Sequence, residues 1–123
     1  MNEEWKERML AAGERVEGVI APLFPDNTEM KSNATNGNLL IRIFWPAPMK
    51  DRPYAHGIIN LIVADDDVND FLLPGRLREA AEQRLFSFVE EKVRTYTPKP
   101  SKSLHATPEV EEWRIAREDI YVR

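Results

Sequence analysis

The sequence predicts an α+β fold: an antiparallel sheet of three to four strands with two main helices packed on one face, in the order α-β-β-β-α-β. Apolar residues recur every three or four positions in two long stretches, as they do along one side of a helix. Other segments show alternating polarity or a run of β-branched residues, which is typical of strands. The length of 123 residues, with 42% hydrophobic and 31% charged, suits one domain over residues 1–123.

The first helix is predicted near the N-terminus. Its apolar stripe consists of Trp5, Met9, Ala12, Val16, Val19 and Leu23. Acidic residues occupy much of the other side, and those in the first turn suit the positive end of the helix dipole. Pro22 and Pro25 end the pattern, because proline lacks the backbone N–H that a continuing helix needs.

Two clear strands are predicted at residues 39–45 and 57–64. The first, LLIRIFW, alternates so that Leu39, Ile41 and Ile43 share one face. The second, GIINLIVA, is almost continuously apolar, which indicates a central strand with both faces mostly covered. The Asn36-Gly37 pair is typical of a tight turn and predicts a hairpin with a weaker strand near 28–34.

The second long helix is predicted to start near Gly75, with Leu77, Ala81 and Leu85 in its apolar stripe. Acidic and basic residues are mixed on its other side. Polarity alternates again in EVEEWRIAR (109–117), which predicts a last strand at an edge of the sheet.

Three consecutive aspartates, Asp65–Asp67, follow the strand at 57–64. Val68 and Phe71 then mark the apolar face of a short helix, so we interpret the aspartates as its start. An aspartate oxygen would accept hydrogen bonds from backbone N–H groups of the first turn. The alternative is a cation site, since carboxylates at a strand end can bind magnesium. Neither a glycine-rich phosphate loop nor a calcium-loop pattern accompanies them.

A loop with three prolines, PAPMKDRPYAH (46–56), is longer than a hairpin needs. It combines a thioether, cations, an aromatic ring and an imidazole on a stiff scaffold, and such side chains are enriched in binding sites. We therefore predict the binding residues Met49, Lys50, Arg52, Tyr54 and His56.

The helix, three-strand, helix order over about residues 1–95 is similar to the double-stranded RNA-binding domain. This resemblance is topological and implies RNA binding through the two helices. In that family the second helix starts with a lysine-rich segment, whereas "PGRLREAAEQ" offers Arg76 and Arg78 together with Glu79 and Glu82. Residues 1–30 carry seven acidic and three basic side chains. The stretch "NGNLLIRIFWPAPMKDRPYAHGIINLIVADDDVNDFL" also resembles small uncharacterised proteins of Burkholderia-type bacteria, which implies no site.

The leading hypothesis from the sequence is a small cytoplasmic, non-catalytic binding or protein-interaction module. It would bind a protein partner, or itself, through the proline loop and an uncovered sheet edge or face. One alternative is a metal-assisted small hydrolase using Asp65–Asp67 with His56, and another is an RNA-binding domain. We expect no catalytic residue, metal or cofactor, because no GxSxG or HExxH signature occurs.

Cysteine is absent, which excludes disulfides and thiolate chemistry and is compatible with the cytoplasm. No signal peptide or membrane segment is predicted, because the N-terminus is charged and every apolar run is short. The net charge of −4 does not favour nucleic acid as a partner.

Overall fold

A computed structural model describes residues 3–48, 50, 51, 53, 55–98 and 110–115. The elements are α1 (Glu3–Ile20), β1 (Glu29–Thr35), β2 (Asn38–Pro46), β3 (His56–Ala64), α2 (Asp65–Val68), α3 (Arg76–Thr95) and β4 (Glu111–Ile115). Short 3-10 turns follow α1 at Ala21–Leu23 and α2 at Asn69–Phe71. The predicted α+β class and the order of its main elements are confirmed.

The four strands form one sheet in the order β1-β2-β3-β4. β1 and β2 are antiparallel and are joined at Asn36-Gly37, as the sequence predicts. Both turn residues have positive φ, 50° at Asn36 and 78° at Gly37, and asparagine and glycine are the residues that tolerate this conformation best. β2 and β3 are also antiparallel, with Ile41 opposite Leu61.

The prediction of a purely antiparallel sheet is wrong, because β4 runs parallel to β3. The cause is α3, which has 20 residues and spans about 30 Å at roughly 1.5 Å per residue. This helix carries the chain from the end of β3 back to its beginning, so the next strand in the sheet starts beside Ile59 and points the same way.

The hydrophobic core lies on one face of the sheet. Its sheet residues occupy the odd-numbered positions Leu39, Ile41, Ile43, Trp45, Ile59, Leu61, Val63, Trp113 and Ile115. Met9 and Val16 of α1 and Leu85 and Val89 of α3 complete it. Both long helices therefore cover the same face, as predicted, and a two-layer structure results.

Aromatic rings close the core near the start of β3. The ring of Tyr96 lies 5.4 Å from that of Trp45 and 5.9 Å from that of Trp113, measured between centroids. The backbone N–H of Ile58 donates to the Tyr96 hydroxyl at 3.0 Å. This residue precedes Ile59, where pairing with β4 begins, so the hydroxyl accepts a hydrogen bond just before the parallel ladder.

Gly57 provides space for the Trp45 side chain, its partner on the neighbouring strand. A Cβ atom at this position would collide with the indole ring. We expect Gly57→Ala to lower the free energy of unfolding by about 1–3 kcal/mol, since neither the backbone nor the packed ring can move away cheaply. Urea denaturation followed by tryptophan fluorescence measures the loss.

The control for this change is Gly18→Ala. Gly18 lies in α1, and a Cβ atom there would have no neighbour within 4 Å. Alanine should stabilise the helix by about 0.5–1 kcal/mol, because it loses less backbone entropy than glycine on folding. Equal stability of the two variants would contradict the proposed contact at Trp45.

Tyr96→Phe removes the hydroxyl but keeps the ring between the two tryptophans. The Ile58 N–H, part-buried in this contact, would lose its acceptor, so we expect a loss of about 1–3 kcal/mol in unfolding free energy. Chemical denaturation of both proteins tests this. An unchanged midpoint and slope would show that the hydroxyl contributes nothing to stability.

Candidate binding surface on the open face of the sheet

The sheet face opposite α1 and α3 is here called the open face, because no helix or strand of the described residues packs on it. Side chains alternate between the faces of a strand, so even-numbered residues of β2, β3 and β4 and odd-numbered residues of β1 point there. Those that define the surface are Glu29, Lys31, Asn33, Leu40, Arg42, Phe44, His56, Ile58, Asn60, Ile62, Glu112 and Arg114.

Two apolar cross-strand pairs lie on the open face. Leu40 lies opposite Ile62 and Phe44 lies opposite Ile58, with the Arg42–Asn60 pair between them. The two isoleucines are each 8% exposed and lie outside the main core cluster, whereas Leu40 and Phe44 are half-buried. The apolar surface that these pairs present to solvent therefore comes mainly from Leu40 and Phe44.

One cation lies between these apolar pairs, Arg42 on β2, and another lies beside them, Lys31 on β1. Lys31 stands directly opposite Arg42, and both side chains are exposed. The Arg42 guanidinium donates from Nε to the amide oxygen of Asn60 at 3.2 Å. Within the described part of the chain, Lys31 has no ion pair. The two positive charges are therefore neighbours, and within the described residues neither forms an ion pair with a carboxylate, including that of nearby Glu29.

A shallow depression of about 500 Å³ lies where these features meet. Its lining consists of Glu29, Met30, Lys31, Arg42, Phe44 and Ile58. Met30, Phe44 and Ile58 form its apolar part, and Lys31, Arg42 and Glu29 form its charged part. Such a mixture can hold an apolar group and orient an anionic one beside it.

The predicted loop site is only partly within the described residues. His56 is the first residue of β3 and lies on the open face, with its ring centroid 5.7 Å from that of Phe44. Lys50 is exposed in a turn. Met49, Arg52 and Tyr54 lie outside the described residues. The loop closes through a hydrogen bond from the Ala47 N–H to the Ala55 carbonyl at 2.9 Å.

The aspartates begin a helix, as predicted, but not in the predicted manner. The N-cap residue is Ala64, whose side chain has no oxygen and makes no capping hydrogen bond. Asp65–Asp67 instead occupy the first turn, where carboxylates interact favourably with the helix dipole. Arg8 of α1 donates to Asp65 Oδ1 and to Asn69 Oδ1, both at 2.6 Å. A cation partner for Asp65 therefore comes from the protein itself.

His56 and the aspartates are not brought together. They lie at opposite ends of β3, about 30 Å apart at roughly 3.3 Å per residue. Among the residues that the structure describes, no three His, Asp or Glu side chains are grouped in a way that could hold a metal ion. The sequence hypothesis of a site that combines His56 with Asp65–Asp67 has no geometric support.

The α1 side of the helix layer carries an excess of acidic side chains. Glu82 of α3 accepts a salt bridge from Arg15 of α1, 2.8 Å between Nη2 and Oε2. A depression of about 550 Å³ beside α1 is lined in part by Glu14, Glu17 and Asp26. In the described parts of the chain, neither long helix combines the length and apolar character that crossing a bilayer requires.

Comparisons with known proteins add no assignment to this geometry. No family model, curated protein or solved structure matches the chain.

The sequence predicts binding through an uncovered sheet edge or face, but of the open-face residues it names only His56 as a binding residue. Leu40, Arg42 and Phe44 share a strand face opposite the core residues Leu39, Ile41 and Ile43. Apolar residues on the solvent side of a strand, where alternation usually places polar ones, are the available signal. The pairing with Ile58 and Ile62 required the register, which spacing alone does not supply.

Arg8 and Asp65 link α1 to α2, and their coupling is measurable. Both side chains are partly exposed, 29% and 42%, so we expect a coupling energy of about 0.2–1 kcal/mol between Arg8→Ala and Asp65→Ala in a double-mutant cycle. The coupling should decline in high salt, which screens partly exposed charges. Strict additivity of the two changes at low salt would show that the pair is not formed.

Proposed function

We propose that this chain is a small, non-catalytic protein-interaction module that acts in the cytoplasm and binds a protein partner through the open face. The observation that carries this proposal is the presence of two apolar cross-strand pairs, Leu40–Ile62 and Phe44–Ile58, on a face that no described element covers. Apolar groups interleaved with polar ones are typical of contact surfaces between proteins.

The architecture favours binding over chemistry. The helices and the helix-facing side of the sheet form the core, so the open face has no part in holding the two layers together. Its side chains stand on strands fixed by the ladders on both sides of β3, which gives a rigid surface. A rigid surface with an aromatic side chain near its centre loses little conformational entropy on binding.

The candidate catalytic groups support the same choice. Asp65 is engaged by Arg8, and His56 lies about 30 Å from it by the length of β3. The imidazole contacts the Phe44 ring, which extends the open face toward the loop 47–55. Met49, Lys50, Arg52 and Tyr54 remain predicted contributors from that loop.

The test is capture of a partner by wild-type protein and by a double variant, Leu40→Ala/Phe44→Ala. Partners captured from an extract of the source cell would be identified, purified and titrated by calorimetry. We expect the double variant to bind at least about tenfold more weakly, because truncating central apolar contacts typically costs more than 1 kcal/mol each.

The matched control is Leu73→Ala/Leu77→Ala. These leucines are 75% and 63% exposed on the helix side, and the change removes a similar amount of apolar surface. The control should bind like the wild type. The proposal would be contradicted if only the control lost affinity for the partner. It would also be contradicted if the Leu40 and Phe44 double variant bound the partner as tightly as the wild type does.

A further inference from the structure

We propose that the segment bound by the open face is acidic and apolar, with a carboxylate held between Lys31 and Arg42 and an apolar side chain against Phe44 and Ile58. This inference rests on the proposed function and specifies the chemistry of its partner. It follows from three features: a pair of opposed cations without an ion pair, a partly apolar depression beside it, and the acidic excess of the α1 side of the molecule.

The pair of cations is the first feature. Lys31 and Arg42 are directly opposed across β1 and β2, an arrangement that is destabilising for like charges. Arg42 contacts the neutral amide of Asn60, and Lys31 has no ion pair within the described residues. Glu29, two positions before Lys31 on the same face, does not make that pair. A carboxylate from outside would relieve the repulsion and accept hydrogen bonds from both side chains.

Four of the eight arginines within the described residues contact carboxylates: Arg8 with Asp65, Arg15 with Glu82, Arg94 with Glu91 and Arg114 with Glu112. The other four, which are Arg42, Arg76, Arg78 and Arg84, have no ion pair there. Among these, Arg42 stands directly opposite a second cation, Lys31, across β1 and β2. An incoming acidic group would make at Arg42 the contact that the first four arginines make within the chain.

The depression next to the cations is the second feature. It measures about 500 Å³, and Met30, Phe44 and Ile58 form its apolar part. Its size and open shape suit side chains laid on the sheet. An apolar side chain adjacent to an acidic one in the partner would fill both parts at once.

The distribution of charge is the third feature. The protein has a net charge of −4. α1 carries five acidic and three basic residues, whereas α3 carries four acidic and five basic ones. The α1 side of the molecule includes the depression with Glu14, Glu17 and Asp26. An acidic segment would be repelled from the α1 side and attracted toward Lys31 and Arg42.

Nucleic acid shares the negative charge but fits less well. A polyanion needs several cations along its path, whereas this face offers Lys31, Arg42 and Arg114 against Glu29 and Glu112. The described part of this face carries one pair of rings, Phe44 and His56, whereas a single strand is bound by a series of stacking platforms. We therefore infer a protein segment, and nucleic acid binding becomes an outcome of the test.

The test uses the full chain and three blocked peptides: Glu-Leu-Phe-Glu, its Gln counterpart and its Lys counterpart. Binding is followed by amide chemical shifts in an NMR titration at low salt. We expect the acidic peptide to bind about fivefold tighter than the neutral one, as two partly exposed ion pairs allow. The shifts should map to β1, β2 and β3, and the Lys peptide should bind weakest.

Charge reversal provides the decisive variants. Lys31→Glu/Arg42→Glu should reverse the order of the three peptides. Lys6→Glu/Arg76→Glu changes the net charge by the same amount at two exposed helix positions and should keep the wild-type order. Three outcomes would each overturn the inference. The first is equal affinity for all three peptides, and the second is a reversed order of the peptides in the control variant. The third is preferential binding of a short oligothymidylate that is lost in the Lys31 and Arg42 variant.

The inference and the proposed function can fail separately. If a captured partner depends on Leu40 and Phe44 but binds the Lys31 and Arg42 variant with wild-type affinity, the interaction module stands and its acidic specificity is wrong. If neither pair of changes affects capture, the open face is not the contact surface and both proposals fall.

Discussion

The pairing register between β2 and β3 is the constraint on which the rest of the structure depends. It aligns Leu39, Ile41 and Ile43 with Val63, Leu61 and Ile59, and this aligned set forms the floor on which both long helices pack. A shift by one residue would turn the whole set to the other side of the sheet. The Asn36-Gly37 turn fixes the neighbouring β1–β2 register, so three strands are specified largely by local signals and one buried face.

The same register creates the open face. When the odd-numbered residues of β2 and β3 are committed to the core, the even-numbered ones are left on the other side, and four of these are large and apolar. Their position is a consequence of the core and not of a separate folding preference. Lys31 and Arg42 are placed by the β1–β2 ladder in the same way, so the chemistry of this surface follows from backbone pairing.

Local patterns account for most of the fold, while contacts between distant segments account for most of what could not be foreseen. Periodicity located both long helices. Alternation, a run of β-branched residues and the Asn-Gly turn located the strands. The parallel direction of β4 required the return path of α3 to be considered, and the helix length contained that information. The Arg8–Asp65 contact joins residues 57 positions apart, and the sequence carries no mark of it. An uncovered sheet face was predicted, but most of its residues were not named, because one strand shows only half of the surface.

The parallel ladder between β3 and β4 has a consequence for how the chain is made. Ile59 of β3 pairs with Glu111 of β4. One edge of β3 therefore has no partner strand until the β4 segment has been synthesised and α3 has folded back. An apolar, β-branched strand with an unpaired edge is a template for wrong pairing between nascent chains. Loop closure over this separation also slows the last step of assembly. Chains that lack β4 would therefore expose this edge and be more prone to aggregate.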